Sequence, residues 1–264
     1  MPTDDDDKYS RGVVGMRTGS VPYPGAAVLG VQAAWRAGAG MVRYVGPDAV
    51  GDAVLARRPE TVRGEGRVQA WVIGSGTDAS VRDTGETAAL RELLAGDVPV
   101  VADAGALDLV AGSRAPLVVT PHGREFARLR EALGLAPAGD DRAEAAVETA
   151  AALGAVVLLK GSRTLVATGE GWVASVAAGT PWLATAGTGD VLAGVIGALV
   201  AARSDAAAAD RRLLASLAAT AAWIHGAAGR GAAGQGEGGP GHPLVALDVA
   251  DAVPAVVGEL LRVT

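Results

Sequence analysis

Ala184-Thr185-Ala186-Gly187-Thr188-Gly189-Asp190 runs directly into an apolar stretch, Val191 to Ala202. Gly187 and Gly189 permit a tight turn with exposed backbone N–H groups, and a helix starting there aims those groups and its dipole at an anion. A phosphoryl group in transfer would be stabilised at such a turn. Asp190 falls in the first helical turn, where a carboxylate can take the proton of a substrate hydroxyl. The competing reading is a capping aspartate after a glycine turn. A second group, Lys160-Gly161-Ser162-Arg163-Thr164, follows the apolar run Val156 to Leu159. A lysine at a strand end, with glycine and hydroxyl residues behind it, suits nucleotide phosphates. Of 23 lysines and arginines only Lys8 and Lys160 are lysines, so a lysine kept at 160 weighs against an ordinary solvated residue. In Thr120-Pro121-His122-Gly123-Arg124-Glu125, Pro121 fixes the chain and His122 is placed to donate to a ligand. Glu125 is placed to open a helix through Phe126 and Leu129, where it also suits the helix dipole. Tyr23-Pro24-Gly25-Ala26-Ala27 opens an alanine-rich helix whose small residues let a flat ring, or simply the neighbouring sheet, come close. His225 lies on an apolar helix face and reads as a packing residue; His242 has no informative context.

These groups need a scaffold, and the hydrophobic pattern supplies one. Short β-like runs (Val13–Met16, Met41–Val45, Ala70–Ile73, Val98–Ala102, Leu117–Thr120, Val156–Leu159) alternate with helical segments at Gly25–Gly38, Thr84–Leu94 and Ala143–Leu153. Two more runs, Thr164–Ala167 and Trp172–Val176, flank the turn at Gly169-Glu170-Gly171. Helices are expected over Val191–Ala202, Ala207–His225 and Asp248–Leu261. Alternation of this kind predicts an α/β fold with a mostly parallel sheet covered by helices on both faces. Several runs end in polar or glycine-rich turns, at Gly74-Ser75-Gly76, Asp103, Thr120-Pro121-His122 and Lys160-Gly161. In open α/β sheets ligands bind outside the carboxyl ends of the strands, so these turns are expected to share one crevice. One domain over 1–264 is expected, with an acidic N-terminal tail at 1–7 and a glycine-rich surface loop at 226–243.

Composition narrows the class. Half of the 264 residues are hydrophobic but only 3% are aromatic, so alanine, valine, leucine and glycine build the interior. A net charge of −6 argues against nucleic acid, and the absence of cysteine excludes disulfides, a catalytic thiol and thiolate-bound metal. Asp4 to Asp7 are the opposite of a secretory n-region, and the uncharged stretches near 171–189 and 213–229 are too interrupted or too short to span a membrane. The expectation is a cytoplasmic protein without a membrane partner.

The motifs together, in order and spacing, resemble the ADP-dependent NAD(P)H-hydrate dehydratase family of the ribokinase-like superfold. The resemblance rests on Lys8 to Gly12, Tyr23 to Ala27, Arg36 to Gly40, Asp103 to Leu107, Thr120-Pro121-His122 with Glu125, Leu159-Lys160-Gly161, Leu183 to Gly194 and Trp223 to Gly226. It implies a three-layer ribokinase-like fold and a hydro-lyase that returns hydrated NADH or NADPH to NAD(P)H, with ADP as phosphoryl donor and AMP and phosphate as products. It implies that Ala26, Gly76, His122 and Asp190 contact the hydrated dinucleotide. Lys160, Gly161, Ser162, Arg163, Thr164, Gly187 and Gly189 would hold the nucleotide phosphates. Mg²⁺ is expected with the nucleotide, its ligands unassigned. A homo-oligomer, such as a tetramer, and a separate NAD(P)H-hydrate epimerase as working partner are further expectations. Four positions depart from the family pattern: a shortened turn at Gly74–Asp78, Gly123-Arg124 after the histidine, Arg17–Ser20, and Ala104 after Asp103. The rival readings are a kinase of a small hydroxylated vitamin precursor or sugar, and a non-catalytic nucleotide-binding module.

Overall fold

A computed structural model describes residues 3–235 and 239–263. Seven strands run parallel: β1 (Val13–Arg17), β2 (Met41–Tyr44), β3 (Val62–Arg63), β4 (Ala70–Ile73), β5 (Val100–Ala102), β6 (Leu117–Val119) and β7 (Val156–Leu159). β8 (Thr164–Ala167) and β9 (Val173–Val176) close one edge antiparallel. The order across the sheet is β3-β2-β1-β4-β5-β6-β7-β8-β9. The central strands are continuous apolar runs because both faces of the sheet are covered.

The faces separate by the two-residue period of a strand. Val156 and Leu158 enter the core shared with α1 (Pro24–Arg36), α2 (Asp48–Arg57), α6 (Thr188–Ala201), α8 (Arg211–Ala232) and α9 (Ala246–Val263). Val157 and Leu159 enter the other core, with α3 (Thr84–Leu94), α4 (Gly123–Ala132) and α5 (Arg142–Leu153). The expected three-layer architecture is therefore present.

Several ends follow from local chemistry. Pro24 occupies the first turn of α1, where its missing N–H costs nothing. Asp83, Asp141 and Asp210 cap α3, α5 and α8 by accepting from backbone N–H groups. Asp210 also separates α8 from the short α7 (Ser204–Ala209), so the single helix expected from Ala207 is two. α2 carries little apolar periodicity and was not expected.

Glycine brings α6 close to its neighbours. A Cβ on Gly194 would lie 2.3 Å from the Gly30 carbonyl oxygen, and one on Gly197 would lie 2.4 Å from a Val72 methyl. The expected glycine-rich loop begins too early at 226, because α8 continues to Ala232. Gly226 packs against the Ala178 backbone and Gly229 against Leu183, so these glycines serve contact and not flexibility. Gly236 to Gly238, within that expected loop, lie outside the described residues. The acidic tail is tied down from Asp6: Asp7 accepts from the N–H groups of Tyr9 and Ser10, and the Ser10 hydroxyl donates to Asp6.

Candidate active site

The carboxyl ends of four neighbouring strands place one polar residue each in a line. Ser75 follows β4, Asp103 follows β5, Thr120 follows β6 and Lys160 follows β7. Asp103 is the hub. It accepts from the Ser75 hydroxyl at 3.0 Å, the Thr120 hydroxyl at 2.7 Å and the Lys160 ammonium at 2.7 Å. Ser75, Asp103 and Thr120 are almost fully buried, so the network is rigid. The residue after Asp103, Ala104, has a φ of +45°, a conformation that non-glycine residues seldom adopt. That strained turn leads the chain out of the hub.

Opposite Lys160 stands the start of α6. Gly187 takes a left-handed φ of +90°, and a Cβ there would sit 2.5 Å from the Leu29 side chain. The amides of Gly189 and Asp190 have no carbonyl acceptor among the described residues, which leaves them open to an anion. A Cβ on Gly189 would lie 3.6 Å from Lys160 Nζ, so the ammonium faces this opening. Thr188 turns its hydroxyl away, donating to the Leu183 and Thr185 carbonyls.

Asp190 is shaped by these surroundings. Burial and the facing Asp103 carboxylate raise its pKa to about 7, with Lys160 pulling the other way. Burial lowers Lys160, but Asp103, Glu125 and Asp190 outweigh it and hold the ammonium above the ordinary lysine value. Lys160 therefore stays charged while Asp190 can gain or lose a proton near neutrality.

His122 caps α4. Its Nδ1 accepts from the N–H groups of Arg124 and Glu125, and Glu125 returns a bond to the His122 N–H at 2.8 Å. With Nδ1 accepting, Nε2 is the ring's donor nitrogen, and it lies 3.5 Å from Glu125 Oε1. Glu125 also lies 3.9 Å from Lys160 Nζ, which joins His122 to the hub. Ala26 is buried against Gly76, where a Cβ would come within 2.3 Å of the Ala26 methyl. Gly76 and Tyr23 line a cleft of about 630 Å³ that also includes Glu125, so this cleft opens beside the hub.

Of the expected site residues, Asp190, Gly187, Gly189, Lys160 and His122 are brought into one neighbourhood, with Gly76 on the cleft wall and Ala26 packed behind it. Gly161, Ser162 and Arg163 follow Lys160 in the turn between β7 and β8, and Thr164 opens β8. There Arg163 donates to the Ser175 hydroxyl at 3.3 Å. Sequence reading did not assign Asp103, Ser75 or Thr120 to the site. Their signal was present as a polar residue after each of three strands. His225, expected to pack, does so and also reaches the site: it bonds the Thr188 backbone, and burial lowers it to about 4. Its ring is therefore neutral, and its Nε2 has no partner among the described residues.

The described residues contain no helix long and apolar enough to cross a membrane.

Comparison with known proteins agrees with this geometry. A family model described as NAD(P)H-hydrate dehydratase matches residues 14–239. The bifunctional NAD(P)H-hydrate repair enzyme Nnr of Mycobacterium tuberculosis (strain ATCC 25618 / H37Rv) is 49% identical over 213 residues, covering 76% of this chain and 43% of that protein. The chain thus spans under half the length of that relative. The ADP/ATP-dependent NAD(P)H-hydrate dehydratase of Bacillus subtilis, co-crystallised with ATP/Mg²⁺, superposes with a TM-score of 0.81 at 28% identity, covering 98% of this chain and 93% of that one. A ribokinase-like superfamily protein of Enterococcus faecalis V583 superposes equally well, at 0.81 and 23% identity over 98% and 91% of the chains, which speaks for the fold. The chain belongs to the NAD(P)H-hydrate dehydratase family.

Proposed function

We propose that this chain, read as one catalytic domain, dehydrates hydrated NADH or NADPH at the expense of a nucleoside diphosphate, ADP. The observation that carries the reading is Asp190, a carboxyl poised at about 7 under the open N-terminus of α6. A group tuned near neutrality at the first turn of an anion-binding helix suits a base beside a phosphoryl transfer.

In this reading Asp190 takes the proton from the hydroxyl of the hydrated nicotinamide ring. The hydroxyl oxygen forms a bond to the terminal phosphorus of ADP, the bridging P–O bond breaks, and AMP leaves. Lys160 and the Gly189 and Asp190 amides stabilise charge on the transferring oxygens. Hydroxide is a poor leaving group and phosphate a good one. The ring-nitrogen lone pair expels phosphate, and loss of a proton from the adjacent ring carbon restores NAD(P)H. His122, donating from Nε2, orients the ring substituents, and Gly76 with Ala26 lets the ring lie against the backbone.

Among the described residues no group of three His, Cys, Asp or Glu side chains is arranged to hold a metal. Mg²⁺ needs no such group, because it binds through one or two carboxylates plus substrate phosphates and water. Bound with the nucleotide phosphates, the ion would neutralise their charge; both Asp103 oxygens are already engaged by Ser75, Thr120 and Lys160 and no protein donor is assigned. The same reading places the protein in the cytoplasm, as a homo-oligomer, with an epimerase acting on the same metabolite. The relatives that carry a bifunctional name support that last point.

The test is absorbance at the NADH wavelength during incubation with hydrated NADH, Mg²⁺ and either ADP or ATP. The expected result is a nucleotide-dependent rise that Asp190→Asn lowers by ~100- to 10,000-fold. A folded protein that produces no rise with either nucleotide would falsify the dehydratase reading and favour a small-molecule kinase. Stabilisation by nucleotide with no turnover of any hydroxylated substrate would favour a binding module.

A further inference from the structure

The cleft beside the hub has a chemistry of its own. Its volume of about 630 Å³ suits a nucleotide-sized occupant. Tyr23, 60% exposed, stands on its lining and offers a ring face to a base, with Leu107 and Leu129 as apolar wall. Because Glu125 belongs both to this lining and to the surroundings of Lys160, a ligand reacting at Asp190 can extend into the cleft without a break.

The charges on that lining are unequal. Three carboxylates, Asp78, Asp108 and Glu125, face one guanidinium, Arg128. Arg82 pairs with Asp108 at 2.6 Å and donates to the Gly105 carbonyl, so these two charges offset each other, Asp108 keeps its role as a hydrogen-bond acceptor, and Asp78 is the lining carboxylate with no ion-pair partner among the described residues. Asp78 is held ionised by the Ser80 N–H and hydroxyl, at 2.8 and 2.7 Å. A dinucleotide brings a diphosphate linker in every case, and Arg128 is the cation on this lining able to meet it. A 2′-phosphate would add a second anionic group, for which the lining has carboxylates and no further cation. A free ribose diol, by contrast, donates hydrogen bonds that Asp108 and Asp78 can accept.

Resting on the dehydratase reading for the identity of the dinucleotide, we infer that this cleft takes the adenosine half of the substrate. Arg128 pairs with its diphosphate, and Asp78 and Asp108 select the unphosphorylated ribose, so that hydrated NADH is preferred over hydrated NADPH.

The test is equilibrium binding of NADH and of NADPH to the intact protein, followed by the dinucleotides' own fluorescence at one fixed ionic strength. NADH is expected to bind at least ~10-fold more tightly, as a few unfavourable charge contacts at a partly solvated site suffice for that factor. Asp78→Asn should narrow the gap by strengthening NADPH, and Asp108→Asn should do the same. Asp78 has no role in the ion pairs, so its variant keeps the test valid if Asp108→Asn fails to fold. Arg128→Ala should weaken both dinucleotides by a similar factor. Equal or tighter binding of NADPH overturns the inference, as does an Arg128→Ala protein that loses NADPH affinity alone, or a failure of both dinucleotides to bind. Preferential NADH binding by a protein that turns over neither hydrate supports the cleft assignment and counts against the dehydratase reading. Turnover of both hydrates with equal kcat/KM does the reverse.

Discussion

Burial and Asp103 hold Asp190 near 7 while Lys160, also beside it, keeps its proton, so the two groups stay distinct in charge across the working range. A base must be ionised to act. kcat is therefore expected to rise with pH through about 7, and a pH–rate profile in the presence of saturating nucleotide checks this. The same pKa has a stability consequence of opposite sign. An aspartate raised from 3.8 binds its proton more tightly in the folded state. Its contribution to stability is most favourable below pH 3.8 and is lost as pH rises towards 7. Asp190→Asn, which mimics the protonated form, should thus be more stable than the parent at pH 8 by on the order of 2–4 kcal/mol, with no gain at pH 4. Urea midpoints at the two pH values measure the difference.

At the scale of the element, α6 delivers the site only if its entry and its packing are held. Gly187 supplies the left-handed turn, and Ala in that conformation costs ~1–2 kcal/mol before the contact with Leu29 is counted. Gly187→Ala should lose that stability and turn the first amides away from the phosphate, so that kcat falls more than the melting temperature would suggest. Further along, Gly194→Val would push a branched side chain into the Gly30 carbonyl, a backbone atom that cannot rotate away. Overpacking there should cost ~1–3 kcal/mol or more and shift α6 against α1. Gly258 in α9 is the control, because a Cβ there meets nothing within 4 Å. Gly258→Ala should stabilise the protein by up to ~1 kcal/mol and leave turnover unchanged. Thermal denaturation beside the absorbance assay reads all three.

For the molecule as a whole, His225 links acid stability to the layer beneath the site. Burial lowers it to about 4 from the ordinary 6.5, against the opposing bond to the Thr188 backbone. The folded state therefore resists protonating it. Stability is full above pH 6.5 and is lost as pH falls towards 4, by about 3 kcal/mol in all and about 2 by pH 5. His225→Gln, which cannot charge, should flatten that part of the curve. Chemical denaturation at pH 7 and pH 5 decides it: an equal acid loss in parent and variant removes His225 as the cause.

The sequence by itself determined the alternation of strands and helices, the apolar α6 with its glycine turn, and Asp190, Lys160 and His122 as separate candidates. Those features are local, since each is written in the spacing of a few residues. Thr84–Leu94 and Ala70–Ile73 were legible to the residue, because capping and apolar patterning agreed there. Only the tertiary structure decided what those candidates do to one another. Asp103 became the hub because parallel pairing puts the ends of β4, β5, β6 and β7 side by side, which no spacing along the chain encodes. The raised pKa of Asp190 likewise depends on burial and on a carboxylate 87 positions away in sequence. Gly226 and Gly229 looked like a loop because glycine alone signals freedom. The packed surfaces of Ala178 and Leu183 turned that freedom into close contact and let α8 run on.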